Sequence, residues 1–251
     1  MPPNPYDIRA RWRKPFEVGR PQPELGMYGL EAKLWIEKKS VLGKELAAIL
    51  LSLGALKFGD FTLTSGRRSP YYIDLRLLPS YPNALERIAD MYVAVMENEI
   101  GMGRLKVAGI PTAGLPLATA VSLKARLPLI YVRETPKLHG EMKMIEGVLS
   151  EGDEVVLIDD LATTGGSLLK AAETIRASGG RVSHAVVLID REEGGAENLA
   201  SAGIELHAVS RISELLSWLE AVGGIPADKA KAIREYLREV RRNGRSRGQD
   251  S

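Results

Sequence analysis

The sequence predicts an α/β protein with a central parallel sheet and helices on both of its faces. Three observations carry that expectation. Short runs of aliphatic and β-branched residues recur between residues 105 and 212. The stretches between them space their apolar residues by three and four, the period of a helix packed on one side. Strand-like and helix-like segments alternate one by one, as in βαβ units whose strands are covered on both faces.

Residues 1–29, rich in Pro and Arg, read as a disordered or loosely packed arm, and Met27 offers a second start. Residues 30–53 read as a helix that ends near Gly54. KFGDFTLTSGRRSPYYIDLR (57–76) alternates apolar and polar positions around SG and SP turn signals, the mark of a strand pair. Pro82 opens a helix over 83–101. LKVAGIP (105–111) is a strand, 114–127 a helix, and PLIYVRE (128–134) a strand. EVVLIDD (154–160) and RVSHAVVLIDR (181–191) are strands on either side of a helix over 166–180, closed by glycine. A further strand covers 203–212, helices cover 213–222 and 226–241, and RRNGRSRGQDS forms a basic polar tail. The expected organisation is an arm (1–29), one domain (30–212) and a C-terminal helical extension (213–251).

Composition narrows the function. Hydrophobic residues make up 45% of the chain and charged residues 26%, enough to bury a core and stay soluble. A net charge of +2 gives no electrostatic case for nucleic acid. With no cysteine there is no disulfide, thiolate nucleophile or thiolate metal site, which suits a cytoplasmic protein. His139, His184 and His207 are too scattered in sequence to suggest a metal cage. The most apolar segment, 41–56, carries Lys44 and Glu45 and reads as an amphipathic helix, so no membrane association is expected.

The stretch VVLIDDLATTGGSL (155–168) carries the chemistry. In an open α/β sheet, ligands bind at the carboxyl ends of strands, where Asp159 and Asp160 fall. Adjacent carboxylates beside a low-dielectric core cost free energy unless a cation or hydroxyl donors meet them. The small residues Thr163, Thr164, Gly165, Gly166 and Ser167 then lead into a helix, whose N-terminus suits a phosphate. Carboxylates for sugar hydroxyls beside a phosphate cradle describe a ribose 5-phosphate pocket. Neither a Walker A loop nor a G-x-G-x-x-G turn between strand and helix is present.

That stretch closely resembles the phosphoribosyl pyrophosphate (PRPP) motif of type I phosphoribosyltransferases. Three more segments resemble the orotate phosphoribosyltransferases among them. FGDFTLTSGRRSPYYIDLR (58–76) is similar to their N-terminal hood, and GIPTAGLPLATA (109–120) to their pyrophosphate loop. YVRETPKLHGEMKMIEG (131–147) resembles their mobile catalytic loop, with Arg133, Lys137, His139 and Gly140 as its core. The resemblance implies a type I phosphoribosyltransferase-like α/β fold with a small hood, and attack of orotate N1 on PRPP to give orotidine 5′-phosphate and pyrophosphate.

It also implies roles. Asp159 and Asp160 hold the ribose hydroxyls and favour the ring cation. Leu161, Ala162, Thr163, Thr164, Gly165, Gly166 and Ser167 surround the 5′-phosphate, while Thr112 and Ala113 line the pyrophosphate. Arg133, Lys137 and His139 offset the leaving group's charge, with Gly140 and Gly147 as hinges. Arg191 pairs with the orotate carboxylate, and Thr163, Tyr72 and Ile73 touch the pyrimidine; Tyr71 reads as core. Magnesium is held mainly by PRPP, with no dedicated protein ligands. The loop reaches the neighbouring subunit's site, which implies a homodimer.

The chain departs from the pattern at Thr64, Ala113 and Glu134, where relatives often carry lysine. Arg67 or Arg68, and Lys143, are the nearby cations that could compensate. Two alternatives stand beside orotate transfer: transfer to a purine such as adenine, and a non-catalytic PRPP-sensing regulator.

Overall fold

The computed structural model describes residues 25–62, 68–133 and 144–247. The chain divides into two compact units, Met1–Ile36 and Glu37–Ser251. Of the first, the described residues are helical and expose Leu30, Leu34 and Ile36.

In chain order the elements are α1 (Leu25–Ser52), the antiparallel pair β1 (Leu56–Thr62) and β2 (Arg68–Ile73), and a 3-10 turn (Leu75–Ser80). Then come α2 (Pro82–Val95), a π turn (Met96–Ile100), β3 (Leu105–Gly109), α3 (Gly114–Ala125), β4 (Leu129–Val132) and β5 (Ile145–Glu146). The chain continues through β6 (Glu154–Ala162), α4 (Gly166–Ala177), β7 (Arg181–Asp190), α5 (Gly195–Ser201) and β8 (Glu205–Arg211). It closes with α6 (Ile212–Ala221) and α7 (Ala227–Arg247).

Six strands form the main sheet in the order β5-β4-β3-β6-β7-β8, and every pairing is parallel except β4 with β5. The strand order therefore reverses between β3 and β6, the crevice where open α/β sheets bind ligands. β6 and β7 are buried on both faces, which explains why they read as continuous apolar runs rather than alternating ones.

On one face of the sheet, Leu168, Ala171, Ala172 and Ile175 of α4 pack with Val155, Leu157, Ala185 and Val187. These α4 positions repeat at three and four residues, so one stripe meets the sheet. On α1, Leu42, Leu46 and Leu50 are buried one turn apart, and a side chain at Gly43 would run into the Trp218 ring of α6. α7 lies on the hood pair, where the rings of Tyr236 and Tyr71 meet edge to face at 6.1 Å.

The structure corrects several boundaries. β6 runs two residues past Asp160 because its ladder to β7 continues through Leu161 and Ala162. The helix expected over 226–241 continues to Arg247, so the basic stretch that reads as a polar tail is helical that far. β5 and α5, two and seven residues long, are too short to leave a periodic signal. Parallel pairing of β7 and β8 also brings His184 and His207 to 3.1 Å, although their sequence spacing reads as scattered.

Candidate active site

The end of β6 carries Asp159 and Asp160 on opposite sides of the strand, and both side chains fold back onto the chain. Asp159, 6% exposed, accepts through Oδ1 from the Asp160 N–H at 2.9 Å and through Oδ2 from the Ser167 hydroxyl at 3.3 Å. Asp160 accepts from the Leu161 N–H at 2.8 Å. Behind them, the buried Tyr92 hydroxyl of α2 donates to the Asp159 carbonyl at 2.5 Å and fixes the strand end. Burial, and secondarily the neighbouring Asp160 charge, holds the Asp159 carboxyl well above its ordinary pKa. Burial also raises Asp160, against the hydrogen bond from Leu161 and the charge of Arg76. Two like charges with little water thus wait for something that favours their ionised form.

The loop expected to cradle a phosphate follows at once. Gly165 takes a left-handed conformation (φ 78°) and opens α4, whose first amides have no partner within the helix. Gly166 and Ser167 are exposed there while Gly165 is buried, so backbone and small side chains face outward. The loop rests on α5. A side chain at Gly195 would lie 2.7 Å from the Thr163 carbonyl, and Asn198 donates to the Thr164 carbonyl at 3.0 Å.

On the other side of the crevice, the turn after β3 places Thr112 in solvent and Ala113 half-buried at the start of α3. Gly114 presses on the acid pair, since a Cβ there would meet the Ile158 carbonyl at 2.6 Å and Asp159 Oδ1 at 2.9 Å. The turn after β3 and the acid pair are therefore in direct contact, and only glycine permits the approach.

β7 ends in Asp190, and the Arg191 N–H then donates to the Ala162 carbonyl at 2.9 Å, tying this strand end to the motif. The Arg191 guanidinium is 4% exposed. It pairs with Glu193 at 2.9 Å, donates through Nε to the Tyr71 hydroxyl at 3.1 Å, and lies 4.6 Å from that ring's centre. Burial opposes its charge, yet Tyr71 and Glu193 outweigh that and raise its pKa. Tyr71 is fully buried, as its core reading expects, and burial pushes its phenol up.

The hood residues expected at the base separate. Tyr72 is half-buried, faces Phe61 at 5.6 Å and accepts from Arg76, whereas Ile73 is 5% exposed on the opposite face with Tyr71. Successive residues of a strand point to opposite sides, so Tyr72 and Ile73 do not line one surface together.

A profile of the Phosphoribosyl transferase domain matches residues 78–217, which span β3, β6, β7 and the whole crevice. The chain is 43% identical to the orotate phosphoribosyltransferase of Cenarchaeum symbiosum over 188 residues, covering 74% of this chain and 94% of that one. The chain belongs to the orotate phosphoribosyltransferase family. A crystal structure of the Aeropyrum pernix orotate phosphoribosyltransferase superposes with a TM-score of 0.60 at 38% identity, covering 71% of this chain and 99% of that chain. Leishmania donovani UMP synthase superposes with a TM-score of 0.70 at 36% identity, over 78% of this chain and 42% of that chain.

In this member of the orotate phosphoribosyltransferase family, Arg133 leaves β4 and pairs with Glu146 at 2.9 Å, while its N–H donates to the Met144 carbonyl. The β4–β5 ladder thus pairs Tyr131 with Glu146 and Val132 with Ile145. Gly147 beyond it has a φ of 98° that glycine adopts freely. Lys137, His139 and Gly140 lie outside the described residues, as do Thr64, Arg67, Glu134 and Lys143. Arg68 is engaged with Asp60 in the hood.

Sequence reading missed four contributors to the site: Arg76, Gly114, Gly195 and Asn198. The GG pair at 194–195 was visible as a turn signal, but nothing in it says that it supports a loop thirty residues earlier. Arg76 bonds Asp74 at 3.0 Å, and its charge partly opposes the rise that burial imposes on Asp160.

Proposed function

We propose that this chain transfers the phosphoribosyl group of PRPP to orotate, giving orotidine 5′-phosphate and pyrophosphate, with the crevice between β3 and β6 as its active site. The carrying observation is the adjacent acid pair, Asp159 buried and Asp160 half-buried, held between the Gly114 turn and the Thr163–Ser167 loop.

The chemistry follows from that arrangement. As pyrophosphate leaves, the ribose ring gains positive charge, as in glycoside hydrolysis. Asp159 and Asp160 accept from the 2′- and 3′-hydroxyls, and the growing cation favours the ionised form that burial alone disfavours. Their stabilisation is therefore greater in the transition state than in the free protein. The amides at the start of α4 hold the 5′-phosphate, and Thr112 and Ala113 line the pyrophosphate. Arg133, Lys137 and His139 offset charge on the leaving group. Arg191 reads the orotate carboxylate, which takes the place of Glu193 on the guanidinium; Thr163 and Tyr72 flank the ring.

The carboxylate oxygens of Asp159 and Asp160 suit sugar hydroxyls and a hydrated hard cation, the donor chemistry magnesium requires. When bound with PRPP, magnesium supplies charge neutralisation on the pyrophosphate. The working form is a homodimer, supported by the resemblance of residues 131–147 to a loop shared between subunits. A cytoplasmic location is part of the same reading, supported by a phosphorylated substrate, PRPP, that does not cross membranes unaided. Among the described residues, no helix is long and apolar enough to cross a membrane.

Pyrophosphate release with PRPP, magnesium and each of orotate, adenine, hypoxanthine and uracil tests the reading. Turnover with orotate alone is expected. Turnover with adenine and none with orotate overturns the base assignment, and tight PRPP binding without turnover on any base supports a regulator instead. Mixing inactive Lys137→Ala and Asp160→Asn subunits tests the dimer: activity regained on mixing is expected from a shared site, and none is expected from sites built within one chain.

A further inference from the structure

At the amino ends of β7 and β8, on the sheet edge opposite the transferase crevice, His184, Glu205 and His207 converge. The ladder explains why. His184 pairs with Glu205, and His207 lies two residues beyond Glu205 on the same face of β8. We propose that His184 Nδ1, His207 Nε2 and a Glu205 carboxylate oxygen bind a zinc-type divalent cation, with solvent completing its coordination.

The two ring nitrogens are 3.1 Å apart, and Glu205 Oε2 is 3.7 Å from each. The carboxylate separations are too long for hydrogen bonds. As ligand–ligand edges they fit: the centre of this 3.1, 3.7 and 3.7 Å triangle lies about 2.0 Å from every corner, a zinc–nitrogen or zinc–oxygen bond length. Two imidazoles and one carboxylate match the chemistry of zinc rather than magnesium.

The surroundings are those of a ligand histidine. His207 is 3% exposed, and its other nitrogen, Nδ1, is 2.8 Å from Glu99 Oε2. Such a carboxylate fixes the ring's tautomer and aims Nε2 at the metal. Glu99 is itself ion-paired with Lys39 at 2.6 Å. The ion would join β7 and β8 to the π turn after α2 and, through Lys39, to α1. Glu205 stays largely exposed, which leaves an entry path.

The test uses the full chain without a histidine tag, stripped with a chelator and titrated with Zn2+ and with Co2+. One equivalent bound in the micromolar range or tighter is expected, with the visible Co2+ bands of a low-coordinate nitrogen–oxygen site. Glu99→Gln should weaken binding about 10-fold, and His184→Gln by about 100-fold or more. Magnesium-supported orotate turnover of His184→Gln should match the parent, which separates this site from the transferase reading. His184 is partly exposed, so its variant reports even if His207→Ala fails to fold. Binding only at millimolar metal, or undiminished binding by His184→Gln, overturns the proposal.

Discussion

The carboxyl end of β6 brings Asp159 and Asp160 together and that of β7 carries Asp190, and burial raises the pKa of all three. At the amino ends of β7 and β8, Glu99, Glu205, His184 and His207 bring acids and imidazoles together within 2.8–3.7 Å. The same sheet supports both clusters, with the same aliphatic core between them. One end gathers carboxylates whose ionised form burial disfavours until a ligand relieves it, and the other sets two imidazoles and a carboxylate at metal-ligand spacing. Donor chemistry therefore separates the two roles: acids alone suit hydroxyls and a developing cation, and imidazoles with a carboxylate suit a zinc-type ion.

That contrast can be broken at several points. The largest effect is expected from Asp160→Asn, which should lower orotate turnover roughly 100- to 1,000-fold. Urea denaturation of the ligand-free variant should show stability equal to the parent or about 1 kcal/mol higher, because a buried like charge is gone. Loss of fold instead would make Asp160 a structural residue. Gly114→Ala comes next. Its Cβ would meet the Ile158 carbonyl at 2.6 Å, so a stability loss of about 1–3 kcal/mol is expected, with a raised KM for PRPP.

A pH series sharpens the electrostatic half. The folded Asp159 pKa lies well above its ordinary 3.8, so the native state binds more protons than the unfolded chain above that pH. Parental stability should be greatest near or below pH 3.8 as far as this group is concerned, and should fall as pH rises toward the folded value. Asp159→Asn removes that loss, so denaturation midpoints of variant and parent should diverge as pH rises from 4 to 7; a constant gap would refute the buried charge cost. The smallest effect belongs to the other end. In protein free of zinc, Glu99→Gln should cost about 1 kcal/mol or less in denaturation and leave magnesium-supported turnover unchanged.

The fold was legible where periodicity lasts. β6 and β7 announce themselves by the apolar runs VVLI (155–158) and AVVLI (185–189), and α4 between them by a three-and-four repeat. β5 and α5 do not, because two or seven residues hold too little pattern. Asp159, Asp160 and the Thr163–Ser167 loop were legible because an acid pair and a glycine-rich turn are unusual at a strand end. Gly114 and Gly195 were not, since their importance lies in which backbone stands opposite. Arg191 could be singled out from its place after β7, but its burial against Tyr71 and Glu193 depends on a hood 120 residues away. The histidine cluster was hidden for the same reason: a register between two strands, rather than a spacing along one, creates it.

β7 runs through both ends, and that has a thermodynamic consequence. Val186, Val187, Leu188 and Ile189 are fully buried and laddered to β6 on one side and β8 on the other. Cooperativity between two sites needs an element with two arrangements that each ligand biases differently. A strand clamped on both edges and both faces has one arrangement. An ion at His184 and His207 should therefore lengthen the lifetime of the folded chain while leaving its appetite for PRPP untouched.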